Sequence, residues 1–134
     1  GGFEEKMIFN EDMVMAAKII QSGYKVAYAA EAKVIHSHNY SCMQQFKRNF
    51  DLAVSQTDFP QIFEEVKSEN EGIRLVKETA RYLIRIKKPW LIFSLVTKSG
   101  FKFLGYRLGK QYKKLPGQVI RRCTMNRRYW ENNS

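Results

Sequence analysis

NEDMVMAAKIIQSGYKVAYA, residues 10–29, holds two different apolar periods side by side. Asn10 is a good helix N-cap, and Glu11 and Asp12 follow it in what would be the first turn. Met13, Val14, Ala16, Ala17 and Ile20 then recur at helical spacing. Gly23 stands where a helix C-terminus needs a residue tolerant of positive φ. Beyond it, residues 24–29, YKVAYA, alternate large and small side chains and predict a strand. Residues 32–38, AKVIHSH, predict a second short strand. These two strands set the expected fold class as α+β and mainly α, with short β strands near the N-terminus followed by a helical region.

Working outward toward the C-terminus, helical spacing continues. Met43, Phe46, Phe50 and Val54 predict a helix over residues 41–57. The run Ser68-Glu69-Asn70-Glu71 reads as a capping box, with Ser68 as cap and Glu71 at the third helical position. It opens a helix with Ile73, Val76, Ala80, Leu83 and Ile84 on one stripe, which Pro89 ends. A third helix is expected over about residues 90–114, despite Gly100, Gly105 and Gly109. In its later part Phe101, Leu104, Leu108, Tyr112 and Leu115 share one face, while Lys98, Lys102, Arg107, Lys110, Lys113 and Lys114 share the other. Pro116-Gly117 breaks that pattern, and a last short helix is expected near residues 119–123.

The composition, 44% hydrophobic and 27% charged, is that of a globular chain able to bury a core. The longest apolar runs, such as Trp90 to Phe93, are far too short to span a bilayer. Cys42 and Cys123 lack metal-ligand spacing and read as reduced thiols. The net charge of +10 is unevenly spread. Residues 1–67 hold 7 Lys/Arg against 9 Asp/Glu, a charge of −2, whereas residues 68–134 hold 16 against 4, a charge of +12. No acidic residue occurs from Thr79 to Trp130. A one-sign stretch of that length points to an anionic partner: nucleic acid, an anionic membrane surface or a phosphate-bearing substrate.

Two groups of residues could carry chemistry. A carboxylate in the first turn of a helix has a purely structural use, complementing the helix dipole for a few tenths to about 1 kcal/mol. Its chemical use is as a general base held in place by the helix start. His36 and His38 are the only histidines, spaced H-x-H at the end of the second expected strand. Residues two apart on a strand face the same way, so both could meet one ion. Two imidazoles alone make a poor metal site, and surface histidines are the simpler alternative.

The order G-G-F-x-E, a short run into E-D, a helix, G-Y-K, a strand and A-x-V-I-H resembles the C-terminal part of family 2 glycosyltransferases. These are inverting enzymes with a nucleotide-binding GT-A fold. The further HSHNYS (residues 36–41), a basic-aromatic helix and LPGQVIRRCTMNRRYW (residues 115–130) look like the bacterial rhamnosyltransferase-type branch. The resemblance implies that Asp12 is the catalytic base, that Glu11 is its neighbour, and that Gly1, Gly2 and Phe3 form an acceptor-binding loop. It implies that His36, with His38 as second choice, helps hold a divalent metal, Mg or Mn. The implied partners are a nucleotide-sugar donor and a glycan acceptor, the sugar being rhamnose by branch. Residues 1–56 would be the acceptor-side end of the catalytic domain, and residues 57–134 a basic helical C-terminal region.

The chain departs from that family's pattern in having no D-x-D motif, no Gly-rich phosphate loop and no run of β-α-β units. It is therefore expected to be a fragment of a longer enzyme with an α/β GT-A fold, inactive by itself. The expected location is cytoplasmic and peripheral at the inner face of the plasma membrane, in the context of bacterial surface polysaccharide synthesis. The amphipathic stretch from Phe101 to Leu115 suits an anionic lipid surface, or else packs its apolar stripe on other parts of the protein. The competing class is a basic helical module that binds nucleic acid or membrane. Its basic residues follow no helix-turn-helix or RNA-recognition pattern, and E-D and H-x-H would go unexplained, so no nucleic-acid partner is expected.

Overall fold

The computed structural model describes residues 7–35, 39–63 and 68–132. Seven α-helices occur among them: α1 (Glu11–Gln21), α2 (Cys42–Asp58), α3 (Pro60–Phe63), α4 (Ser68–Arg85), α5 (Leu91–Gly109), α6 (Gly117–Cys123) and α7 (Arg127–Asn132). A 3-10 turn, Tyr112–Lys114, links α5 to α6. No strand occurs among the described residues.

The α+β expectation, and with it a fragment of an α/β GT-A fold, is therefore wrong for this chain. Residues 24–29 and 32–35 are irregular, and their large side chains are exposed, with Tyr28 at 95% and Ile35 at 105% of full accessibility. Alternation alone does not make a strand. Its backbone N–H and C=O groups need a lateral partner, and its apolar face needs a layer to rest on. The described residues supply neither.

The helices follow their signals more closely. Gly23 takes φ 85° after α1, with its N–H bonded to the Ile20 carbonyl and the Tyr24 N–H bonded to that of Ile19. Asn10 does occupy the N-cap position, but in left-handed geometry (φ 63°) and without a side-chain cap bond. Ser41 caps α2: its hydroxyl accepts the Gln44 N–H at 3.2 Å, while Gln44 Oε1 accepts the Ser41 N–H at 2.8 Å. α4 begins at Ser68, whose side chain lies outside the described residues. Lys87 (φ 57°) ends the turn after α4, and Pro89 follows. The expected third helix stops at Gly109, short of residue 114.

α2 is the centre of the molecule. Phe50, Ala53 and Val54 are fully buried, and Phe50 and Val54 share a core with Ile8, Ile120 and Cys123. The second half of α5 packs directly on α2, through the glycines. A Cβ on Gly105 would lie 2.1 Å from the Phe46 carbonyl oxygen, and one on Gly109 would lie 2.4 Å from that of Phe50. Only glycine lets the two backbones come this close. Tyr106 Oη donates to Gln56 Oε1 at 2.9 Å, and Tyr112 Oη donates to Asp58, which also pairs with Lys113 at 3.5 Å. Leu108, Tyr112 and Leu115 pack at the edge of this core as the shared face predicts, whereas Leu104 falls on the flank and is 59% exposed. The chain after α5 folds back over α2, where Ile120, Cys123 and Thr124 are buried.

Candidate functional site

The carboxylate pair sits on a short, firmly docked segment. Ile8 is buried among Phe50, Val54, Ile120 and Cys123, which fixes the chain just ahead of α1. The next residue, Phe9, accepts a hydrogen bond at its carbonyl from Ser55 Oγ of α2. The Arg48 guanidinium lies over the Phe9 ring at 4.6 Å and reaches the Tyr40 ring at 5.6 Å. Asn10 is buried in its left-handed conformation, and its Nδ2 has no hydrogen-bond partner among the described residues. Its carbonyl accepts the Val14 N–H at 3.1 Å, and Val14 is buried on the inner side of α1. Residues 8–14 thus enter α1 along a path held by apolar burial, a backbone hydrogen bond and a cation–π contact.

Glu11 and Asp12 are exposed on that platform. Asp12 Oδ1 accepts the Met13 N–H at 2.8 Å, which orients the carboxylate and leaves its second oxygen for an incoming donor. Structurally this carboxylate satisfies an N–H of the helix start. Chemically it is an oriented acceptor on a fixed backbone, which is the requirement for taking a proton from a hydroxyl. Gly1, Gly2 and Phe3 lie outside the described residues, as do His36 and His38. Among the described residues no group of three or more His, Cys, Asp or Glu side chains is placed to hold a metal ion.

A second polar centre was not anticipated from the sequence. Asp51 is buried on α2 and accepts hydrogen bonds from Thr124 Oγ1 at 2.6 Å and the Met125 N–H at 2.8 Å. Thr124 Oγ1 accepts the Asn126 N–H at 3.0 Å. Burial pushes the Asp51 carboxyl up to about 6, against the pull of these hydrogen bonds and of nearby Lys47. Burial also raises the Tyr129 hydroxyl and the Cys123 thiol above their ordinary values, which leaves the thiol unreactive. The arrangement ties the α6–α7 turn to α2. A lone carboxylate between Phe50 and Leu52 in an apolar helical run was the only hint of it.

No known protein-family profile matches this chain, and no solved structure matches it. Two curated proteins do. The chain is 44% identical over 133 residues to the O-antigen chain rhamnosyltransferase WbaN of Salmonella anatum, covering 98% of this chain and 42% of that protein. It is 45% identical over 132 residues to the O-antigen chain rhamnosyltransferase RfbN of Salmonella typhimurium, with the same coverage. The chain thus spans less than half the length of the curated relatives it matches, and it is similar to part of two rhamnosyltransferases along nearly its whole length.

Proposed function

We propose that this chain is part of a glycosyltransferase that moves a rhamnosyl group from a nucleotide-sugar donor to an O-antigen-type glycan acceptor. The carrying observation is the 44–45% identity, over 98% of the chain, to two proteins named as O-antigen chain rhamnosyltransferases. The exposed, backbone-oriented Asp12 supports the reading, since acceptor activation needs one well-placed proton acceptor.

In the inverting reaction of family 2, Asp12 accepts the proton of an acceptor hydroxyl. The hydroxyl oxygen bonds to the anomeric carbon from the face opposite the nucleotide, and the bond from that carbon to the diphosphate oxygen breaks. In this reading Glu11 borders the same acceptor position. Acceptor binding by Gly1, Gly2 and Phe3 is part of the proposal by resemblance alone, since they lie outside the described residues. A divalent metal, Mg or Mn, belongs to this proposal only through His36 and His38. Among the described residues no cluster of three or more His, Cys, Asp or Glu side chains would complete its ligand set.

Asp12→Asn tests the reading in the full-length protein that carries this chain. The variant keeps the side-chain shape and the bond to the Met13 N–H while removing the basic oxygen pair. Rhamnosyl transfer to a glycan acceptor should fall by a factor of about 10² or more in kcat, with donor binding nearly unchanged. An unaltered kcat would remove Asp12 as the base.

A further inference from the structure

The first two-thirds of α5 exposes an apolar stripe that the core does not use. Trp90, just before the helix, and Phe93, Val96, Phe103 and Leu104 along it are between 46% and 82% exposed. Their spacing of three, three, seven and one keeps them near one side of the helix, with Gly100 among them and open space around its Cα. Lys98 and Lys102 fall on the opposite side. The stripe runs for roughly 20 Å at 1.5 Å per residue. It is a different surface from that of Leu108, Tyr112 and Leu115, which pack against the core around α2. Of the stretch expected either to meet lipid or to pack within the protein, Leu108, Tyr112 and Leu115 pack within it, and a separate apolar surface stands open.

Charge identifies the occupant. Lys87 and Lys88 precede the stripe, Arg107 and Lys110 follow it, and no acidic residue interrupts residues 79–130. The preceding helix adds Arg81 and Arg85 and leaves Tyr82 and Ile84 exposed, as is Ile86 in the turn that follows it. No described helix is long and apolar enough to cross a membrane. Exposed aromatics with cations at both ends, in a stretch free of acids, match a bilayer surface of anionic headgroups over acyl chains. We infer that α5 lies on an anionic lipid surface, with Trp90, Phe93 and Phe103 entering the interface and Lys87 and Lys88 meeting lipid phosphates. The inference stands apart from the transferase reading, and a failed Asp12→Asn test would leave it untouched.

The test is sedimentation of the full-length protein with vesicles of phosphatidylcholine alone or mixed with phosphatidylglycerol. Wild type should bind the mixed vesicles, release them in high salt and bind the neutral ones weakly. Phe93→Ser with Phe103→Ser should lower anionic-vesicle binding about tenfold with the melting temperature unchanged. Lys87→Glu with Lys88→Glu should weaken binding and flatten its salt dependence. Wild type that ignores both vesicle types overturns the inference, as does a double-serine variant that binds like wild type. A double-serine variant that loses stability while the double-glutamate variant binds normally also overturns it, placing the stripe in a protein–protein contact.

Discussion

The two ends of α5 are both rich in apolar residues, but only the second end is buried. Near the start Leu91, Phe93 and Val96 are exposed, whereas Gly105 and Gly109, with almost no hydrophobic surface of their own, are the buried residues of the helix. Burial here follows how closely backbones can approach, and apolar content comes second. Glycines that weaken a helix by propensity become the contact that locks it when a second backbone lies across them. The same contrast separates the two sides of α1. Residues 8–14 are pinned to α2, while residues 24–35 alternate as a strand would and lie in solvent.

The sharpest way to break this comparison is to put the same methyl group on both halves of α5. Gly105→Ala should cost about 3 kcal/mol, because its Cβ meets the Phe46 backbone rather than a side chain that can move. Gly100→Ala meets nothing within 4 Å and should stabilise by about 0.5–1 kcal/mol through helix propensity and a smaller loss of chain entropy. Urea denaturation of the two variants reads both signs. Equal effects would mean that α5 does not cross α2 at Gly105.

A test of nearly equal size concerns Asp51. Its folded value of about 6 lies above the ordinary carboxylate value of 3.8, so the folded state holds the proton more tightly than the unfolded chain. The stabilisation is complete below about pH 4 and is lost as pH rises through 6, by about 3 kcal/mol in all. Asp51→Asn removes this dependence. The stability of wild type relative to Asp51→Asn should therefore fall between pH 4 and pH 7, and parallel profiles would contradict the buried carboxyl.

The smallest expected effect bears on the site. Ser55→Ala leaves the Phe9 carbonyl without its α2 donor and should cost about 1–2 kcal/mol. If the docked segment is what holds Asp12 in register, kcat should fall more than KM rises, even though Ser55 touches no substrate. A variant with lost stability and unchanged kcat would show that Asp12 does not depend on this anchor.

Local signals placed most of the helices. The Gly23 stop, the apolar spacing of α2 and the short helix near residues 119–123 were all readable, because caps and periodicity act within a few residues. The break expected at Pro116-Gly117 came earlier, at Gly109, and Pro116-Gly117 opens α6 instead. The carboxylate pair was readable for the same reason, being part of a helix start. Three things were not readable in that way. The YKVAYA alternation carries no information about whether a lateral partner exists. Gly105 and Gly109 look like helix weakeners until α2 is seen against them. Asp51 looks like one more surface acid until Thr124 arrives from 73 positions away. Each depends on a contact between distant parts of the chain, and spacing within one segment does not encode which distant backbone will lie against it.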